Sequence, residues 1–121
     1  MTNSFVDLHC HSTASDGTFT PTDVVKLAKE RNLSALALTD HDTINGVAEA
    51  GKAAAELGID FLPGIEISAE YPHPGTLHIL GYGVDPASTV LREKCRYNLF
   101  IPGECRAPTI GDQRFLIAAS C

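Results

Sequence analysis

The sequence predicts an α/β domain in which strands and helices alternate, built either as a barrel or as an open sheet. Four short apolar runs are typical of strands, and helix-like segments separate the first three of them. Each run carries a possible metal ligand at or near one end. Barrels and open α/β sheets both place their chemistry at strand ends, so this arrangement favours one convergent site.

The first strand is predicted in the apolar run from Phe5 to Leu8, which we expect to be buried. His9 and His11 follow, and alternate residues of an extended chain point to the same side, so both imidazoles can face one point while Cys10 faces away. Asp16 lies on a predicted turn that folds back toward them. Imidazole with carboxylate suits Zn, Mn or Fe. The His-x-His pair alone would equally fit a strand that happens to carry two histidines.

A helix and a second strand come next. Thr20 and Asp23 form a capping-box pattern around Pro21, and we expect the helix to end near Arg31-Asn32, where Asn can adopt the left-handed conformation. The run from Leu33 to Thr39 is almost continuously apolar, which predicts a strand buried on both faces of a parallel sheet. Strand, helix and strand together form a βαβ unit.

The polar cluster Asp40-His41-Asp42 follows the second strand directly and offers a further imidazole. A second helix is predicted after it, with Gly58 as its C-terminal cap. Small residues dominate its apolar face and would let it lie close to the sheet. The residues of that predicted face are Ile44, Val47, Ala48, Gly51, Ala54 and Ala55.

The third and fourth strands are predicted close together. The extended stretch from Ile59 to Ser68 contains Glu66, and we expect Pro63-Gly64 to break it. A turn is predicted at residues 71–75, and Thr76 to Tyr82, which contains His78, returns as a strand. The short separation predicts an antiparallel hairpin.

Composition narrows the class of protein. The 121 residues suffice for one domain, and 44% hydrophobic with 20% charged residues is ordinary for a globular protein. A formal net charge of −6 argues against a broad basic surface for nucleic acid, although bound divalent cations would reverse the local sign in a cleft. No run predicts a transmembrane helix or signal peptide, so we expect a cytoplasmic protein without membrane contact. The four cysteines form no CxxC pair and are expected to be free thiols.

Five ordered motifs between Phe5 and Pro86 together resemble the PHP superfamily, named for polymerase and histidinol phosphatase. Within it, the chain resembles most the branch of stand-alone phosphoesterases that act on nucleotides and short RNA, including 5′–3′ exoribonucleases. The motifs are Asp7-Leu8-His9-Cys10-His11, Ser15-Asp16-Gly17, Thr39-Asp40-His41-Asp42, Gly64-Ile65-Glu66 and His78-Ile79-Leu80-Gly81-Tyr82.

The resemblance implies a distorted (β/α)7 barrel that holds two or three divalent metals at the C-terminal ends of its strands. It implies that His9, His11 and Glu66 bind one metal and that Glu66 bridges to a second, which His78 also binds. Asp16 and His41 would hold a third. The implied reaction is hydrolysis of a phosphate ester of a nucleotide or short oligonucleotide by a metal-bound hydroxide. Imidazole ligands favour Mn, Fe or Zn over Mg.

Three further carboxylates in these motifs are expected to support the ligands. Asp7 is expected to orient an imidazole or to cap the first strand. Asp40 and Asp42 are expected to orient an imidazole or to cap a helix, in preference to binding metal. The sequence offers no strong candidate for a cationic residue that would grip a substrate phosphate.

The chain is shorter than a complete barrel of this class, which needs roughly 200 residues or more. We therefore expect residues 1–86 to be the N-terminal part of the phosphoesterase domain and residues 87–121 to be an atypical tail, from a truncated or frameshifted gene. Impaired catalysis is expected. The alternatives are a non-catalytic fragment that binds metal weakly, a half-barrel completed by a partner or by self-association through exposed sheet edges, and histidinol phosphate as substrate.

Overall fold

The computed structural model describes residues 4–70, 76–96 and 116–120. The predicted turn at residues 71–75 and most of the predicted atypical tail lie outside the described residues. Strands and helices alternate through the first half of the chain, which confirms the predicted α/β class. The elements are β1 (Phe5–Cys10), α1 (Pro21–Glu30), β2 (Leu33–Leu38), α2 (Val47–Leu57), β3 (Asp60–Glu70), β4 (Thr76–Tyr82), α3 (Thr89–Arg96) and β5 (Leu116–Ser120).

One sheet contains all five described strands in the order β1-β2-β3-β4-β5. The first three strands are parallel, and β4 and β5 are each antiparallel to the strand before them. The predicted βαβ unit and the predicted antiparallel hairpin are therefore both present. The strand β5, in the segment that was predicted to be atypical, had no signal in the sequence analysis.

The sheet is strongly curled, as the contact between β1 and β4 shows, although two strands lie between them. In a flat sheet they would be about 14 Å apart, at about 4.8 Å per strand. The Tyr82 hydroxyl nevertheless donates a hydrogen bond of 2.7 Å to the Leu8 carbonyl. The curl brings the ends of non-neighbouring strands together on the concave face.

The start of α1 and the C-terminal ends of both long helices agree with the predicted capping residues. The Thr20 hydroxyl accepts a hydrogen bond from the Asp23 amide, and Pro21 occupies the first turn of α1. Asn32 (φ 58°) and Gly58 (φ 62°) adopt the left-handed conformation just after α1 and α2. In the described part of the chain no helix has the length and apolar character needed to cross a membrane.

The predicted break at Pro63-Gly64 is wrong, since β3 runs without interruption through both residues. The strand changes partner there instead: residues up to Pro63 pair with β2, and residues from Gly64 onward pair with β4. Gly64 lets β3 pass close to Thr39 where the strand changes partner, because a Cβ atom at this position would lie 2.8 Å from the Thr39 methyl group. The Pro63 carbonyl accepts a hydrogen bond of 2.8 Å from the Gly83 amide.

Two apolar clusters form the core of the described residues. The first packs α1 and α2 against β2, and the second packs Leu91 and Cys95 of α3 against Ile44 and Ile65. The predicted face of α2 is shifted, because the helix begins at Val47 and leaves Ile44 buried in the preceding loop. Its buried residues are Val47, Ala50, Ala53 and Ala54, whereas Ala48 and Ala55 are exposed.

The predicted burial of the first strand is also wrong. Phe5, Val6 and Leu8 are 64%, 54% and 41% exposed. The reason is topological: among the described residues β1 pairs only with β2, so it forms one edge of the sheet. An apolar sequence predicted burial, but the burial of an edge strand depends on a neighbour from outside the strand.

Candidate metal centre

The six predicted metal ligands gather where the strands bring them to the concave face. His9 and His11 come from the end of β1, His41 follows β2, and Glu66 and His78 lie in β3 and β4. The Asp40 carbonyl and the Asp42 amide pair with Glu66, at 3.1 and 2.9 Å, and extend β2 beside β3 so that His41 lies opposite Glu66.

Glu66 is the centre of the group, with only 3% of its surface exposed. Its Oε2 lies 2.8 Å from His9 Nε2 and 3.0 Å from His11 Nε2. Its Oε1 lies 3.0 Å from His78 Nδ1, and His41 Nδ1 is 3.6 Å from Oε2. One buried carboxylate therefore faces four imidazoles, each from a different point of the chain.

The pKa of Glu66 is the result of two opposing effects. Burial is the largest and raises the pKa, but hydrogen bonds with His9 and His78 and the nearby charges of His9 and His41 outweigh it. The net pKa is lowered. Glu66 is consequently held as an anion, the form in which a carboxylate binds metal.

Asp16 supplies a second carboxylate from the loop after β1. Its two oxygens lie 3.4 Å from His11 Nδ1 and 3.4 Å from His41 Nε2. The loop turns tightly, because the Gly17 amide donates to the Ser12 carbonyl at 2.8 Å. A Cβ atom on Gly17 would lie 2.5 Å from the His11 carbonyl oxygen, so this turn requires glycine.

The six side chains form three overlapping groups, and within each group one ligand atom per residue lies within 4.8 Å of the others. Asp16 and His41 were assigned to a third metal, and His11 lies close to both. Glu66 and His78 were assigned to a second metal, and His41 lies close to both. The groups are His9, His11 and Glu66; His11, Asp16 and His41; and His41, Glu66 and His78.

The donor set fits divalent cations. Imidazole and carboxylate groups are the ligands of Zn, Mn and Fe sites, and a buried polar atom normally has a partner. His11 Nδ1 is buried and has no hydrogen-bond partner among the described residues. This atom lies 3.4 Å from an oxygen of Asp16, and a cation held by His11, Asp16 and His41 would give it a partner.

Asp40 has a different role from the two that were expected. Its buried carboxylate accepts hydrogen bonds from the Ser12 amide at 2.6 Å, the Ser12 hydroxyl at 2.7 Å and the Ser15 hydroxyl at 2.7 Å. None of these hydrogen bonds goes to an imidazole or to the end of a helix. Together they fix the loop that carries Asp16. The sequence analysis missed that Ser12 and Ser15 bind Asp40, although Ser15 lies in one of the five motifs.

Asp42 and Asp7 bind backbone amides. Asp42 accepts a hydrogen bond of 2.8 Å from the Ser68 amide, which fastens the loop after β2 to β3. It does not cap α2, because that helix begins only at Val47. Asp7 accepts a hydrogen bond of 3.1 Å from the His9 amide, which agrees with the strand-capping alternative.

Comparison with known proteins gives a match to the PHP domain family model over residues 7–100. A 3′,5′-nucleoside bisphosphate phosphatase of Chromobacterium violaceum is 51% identical over 86 residues, which cover 71% of this chain and 30% of that protein. A 5′-3′ exoribonuclease of Haemophilus influenzae is 44% identical over 116 residues, which cover 93% of this chain and 40% of that protein. The chain thus spans a third or so of the length of these relatives.

A solved structure from Bifidobacterium adolescentis, of a protein inferred to be a metal-dependent phosphoesterase, superposes with a TM-score of 0.71 at 35% identity. The match covers 78% of this chain and 33% of that one. The expectation that this chain holds only the N-terminal part of a larger α/β fold is confirmed. The division at residue 86 stays a prediction.

Proposed function

The chain belongs to the PHP domain family, and on that premise we propose that it is the metal-binding N-terminal part of a phosphoesterase acting on nucleotides or short oligonucleotides. The names of the two relatives, a nucleoside bisphosphate phosphatase and an exoribonuclease, support this substrate class. The observation that carries the proposal is the cluster of four imidazoles and two carboxylates on one concave face.

We propose that His9, His11, His41, His78, Asp16 and Glu66 hold two or three divalent cations, with Mn, Fe or Zn favoured over Mg by the imidazoles. Cations bound there would supply Lewis acidity that activates water and offsets charge on a phosphoryl group. The chain itself contributes two negative charges to the cluster, those of Asp16 and Glu66. Two carboxylates against two divalent cations leave a net charge of +2, which matches a phosphate dianion.

The supporting residues keep this arrangement rigid. Asp40 holds the loop of Asp16 through Ser12 and Ser15, and Asp42 holds the loop of His41 through the Ser68 amide. Ligands fixed in this way lose little conformational entropy when they bind a cation. A metal site on such a frame can assemble without large rearrangement.

Elemental analysis of the gel-filtered chain tests the proposal first. Two or three equivalents of Mn, Fe or Zn that disappear in His9→Ala and Glu66→Ala, and remain in His73→Ala, would support it. His73 lies outside the described residues and is a histidine outside the five motifs, so it is a matched control. Near-zero metal in the folded chain would favour the alternative of a fragment that binds metal weakly.

Turnover is the second test, with adenosine 3′,5′-bisphosphate and histidinol phosphate as substrates. We propose that activity is low, because the chain spans only a third or so of its relatives. Residual release of phosphate should depend on His9 and Glu66. A preference for histidinol phosphate would contradict the proposed substrate class.

We also propose that this chain self-associates through the exposed edge of β1, where Phe5, Val6 and Leu8 are accessible. An edge strand offers unpaired backbone groups as well as apolar side chains to a second copy. A cytoplasmic location stays a prediction from the sequence.

A further inference from the structure

The strand β1 contains one residue more than β2 over the interval that leads to the metal centre. The paired residues are Asp7 with Leu36 and Cys10 with Leu38. Three steps along β1 therefore match two steps along β2, and the extra residue makes a β-bulge at Leu8-His9. Bulges are rare between parallel strands, and they are typical of places where a side chain has to be re-aimed.

The bulge decides which face of the sheet His9 occupies. Leu38 is buried in the first core cluster, on the side of the sheet that α1 and α2 cover. In a regular strand, His9 would follow Asp7 by two residues and would pair with Leu38 on that side. The extra residue puts Cys10 there instead, and Cys10 packs against the first core cluster. His9 is left on the concave face, where its Nε2 lies 2.8 Å from Glu66 Oε2.

Two side chains bind the backbone of the bulge. The Tyr82 hydroxyl donates a hydrogen bond of 2.7 Å to the Leu8 carbonyl. The Asp7 carboxylate accepts a hydrogen bond of 3.1 Å from the His9 amide. A bulge disrupts the regular ladder of backbone hydrogen bonds, so side chains that bind its carbonyl and amide groups stabilise it. Tyr82 thus ties the bulge to β4, and Asp7 closes it from within β1.

Tyr82 reaches the bulge across the concave face. Alternate residues of a strand share a face, so Tyr82 lies on the same face as His78, whose Nδ1 is 3.0 Å from Glu66. The residue directly opposite Tyr82 in β3 is Gly64, which has no side chain to block the ring on its way to β1. Burial, followed by the charges of Glu66 and Asp7, raises the pKa of Tyr82. The hydroxyl therefore keeps its proton at neutral pH and acts as the donor.

We propose that Tyr82 and Asp7 are positioning residues, which hold the bulge at Leu8-His9 and thereby aim the His9 imidazole at Glu66. The inference rests on the proposed function, in which His9 is a ligand, and it adds two residues that belong to none of the three ligand groups. Losing a group that fixes the direction of a ligand commonly weakens metal binding by about 10–100-fold.

Hydrogen exchange of backbone amides, followed by NMR on the full chain in EDTA, tests the bulge without metal. Tyr82→Phe keeps the ring and removes only the hydroxyl. It should speed exchange of the His9 amide about tenfold, the upper end for the loss of one hydrogen bond. The amide of Val25, which is fully buried in α1, should change far less, since a loss of overall stability would speed both amides alike.

Ser34→Ala is the matched control for Tyr82→Phe. The Ser34 hydroxyl also donates a hydrogen bond to a carbonyl of β1, that of Phe5, at 3.1 Å. Phe5 lies outside the bulge, so this variant loses the same kind of bond from the same strand. Exchange of the His9 amide in Ser34→Ala should remain as in the wild type.

Titration with Co²⁺, read from its visible absorption, tests the effect on the metal centre. Tyr82→Phe should weaken binding about tenfold, the low end for a residue that orients a ligand, and Ser34→Ala should leave it unchanged. In the His9→Ala background, Tyr82→Phe should have no further effect, because Tyr82 acts through His9. An equal loss in both backgrounds would show a general effect on the fold and would overturn the proposal.

Two variants of Asp7 test the second contact. Asp7→Ala removes the acceptor of the His9 amide and should reproduce the faster exchange and the weaker binding of Co²⁺. Asp7→Asn keeps a side-chain oxygen that can accept this bond, so it should restore most of the wild-type behaviour. Both variants leave the Tyr82 ring in place, and they decide the question even if Tyr82→Phe does not fold. Equal defects in Asp7→Ala and Asp7→Asn would contradict the role of this bond.

The two readouts separate this inference from the proposed function. A chain that binds no Co²⁺ would contradict the proposed function, whereas faster exchange of the His9 amide in Tyr82→Phe and Asp7→Ala would still support the held bulge. Unchanged exchange in both variants would overturn the inference. Unchanged affinity in both variants of a chain that does bind Co²⁺ would overturn it as well, and would leave the proposed function intact.

Discussion

At the scale of single residues, Glu66 is the side chain on which the centre depends most. It is buried, and its two oxygens are shared among four histidines, so it belongs to two of the three ligand groups. A glutamine keeps the shape but loses the anionic charge and replaces one oxygen by a donor. The effect of this change should therefore fall on metal binding more than on folding.

Glu66→Gln is expected to lower the affinity for metal at least about tenfold, because losing even a residue that only orients a ligand commonly costs that much, and so to reduce the metal retained by the purified chain. Elemental analysis after gel filtration measures this. Glu56→Gln is the matched control, because Glu56 is exposed on α2 and lies outside the ligand groups. Equal metal content in the two variants would contradict the central role of Glu66.

Asp40 illustrates a residue whose effect should fall on stability. Its carboxylate accepts three hydrogen bonds from Ser12 and Ser15 in a buried position. Asp40→Asn is expected to cost about 2–4 kcal/mol of unfolding free energy, since an amide nitrogen would face a donor and bonds to a charged group are lost. Urea unfolding of the metal-free chain measures it. Asp60→Asn, at an exposed position, should change stability by less than about 0.5 kcal/mol.

At the scale of elements, the loop between β1 and α1 is as important as the strands. It must turn within a few residues to bring Asp16 back to His11, and the backbone of Gly17 passes close to the His11 carbonyl. Since the atoms in the way belong to the backbone, they cannot move aside as a flexible side chain would. Any change in the turn at Gly17 should therefore also move Asp16 relative to His11 and His41.

Gly17→Ala is expected to displace Asp16 and to reduce the number of metal equivalents, because the group of His11, Asp16 and His41 loses its carboxylate. Gly51→Ala is the control within α2, where an added Cβ would make only ordinary contacts of 3.5 Å with Phe61. That control should keep the metal content and gain about 0.5–1 kcal/mol in stability from higher helix propensity. Full metal content in Gly17→Ala would show that the turn can relax.

The docking of α3 can be followed through the Cys95 thiol. Burial raises its pKa to about 11, against an ordinary value near 9. The thiol therefore favours the folded state below about pH 9, and this contribution is lost as the pH rises toward 11. We expect alkylation of Cys95 at pH 8, mapped by mass spectrometry, to be slow in the native chain and fast in urea. Rapid alkylation of the native chain would mean that α3 leaves the core.

At the scale of the whole molecule, the open edge of β1 is the main departure from a closed fold. The described sheet has β1 at one edge, where Phe5, Val6 and Leu8 leave an apolar surface exposed. Such an edge invites pairing with another strand. The chain by itself is therefore expected to be prone to association.

Val6→Lys should shift the chain toward the monomer in sedimentation velocity, since a charge on an edge strand opposes pairing. Val90→Lys is the control: Val90 is 49% exposed, close to the 54% of Val6, but lies on α3. The control should leave the distribution unchanged. A wild-type chain that is already monomeric at high concentration would contradict self-association.

The sequence by itself determined the α/β class, the helix caps at Thr20, Asn32 and Gly58, and the residues that gather at the centre. These features depend on local patterns: side-chain alternation in strands, helix capping, and polar residues that follow apolar runs. The six candidate ligands could be named before the structure because each lies in such a pattern. Their binding of metal stays a proposal.

Only the tertiary structure decided which groups meet across the sheet. Its curl brings the Tyr82 hydroxyl to the Leu8 carbonyl, a contact with no local signal in the sequence. The exposure of β1 depends on an absent neighbour among the described residues, so an apolar sequence could not reveal it. The role of Asp40 likewise follows from distant partners, Ser12 and Ser15, because hydrogen bonds depend on positions in space and not on order along the chain.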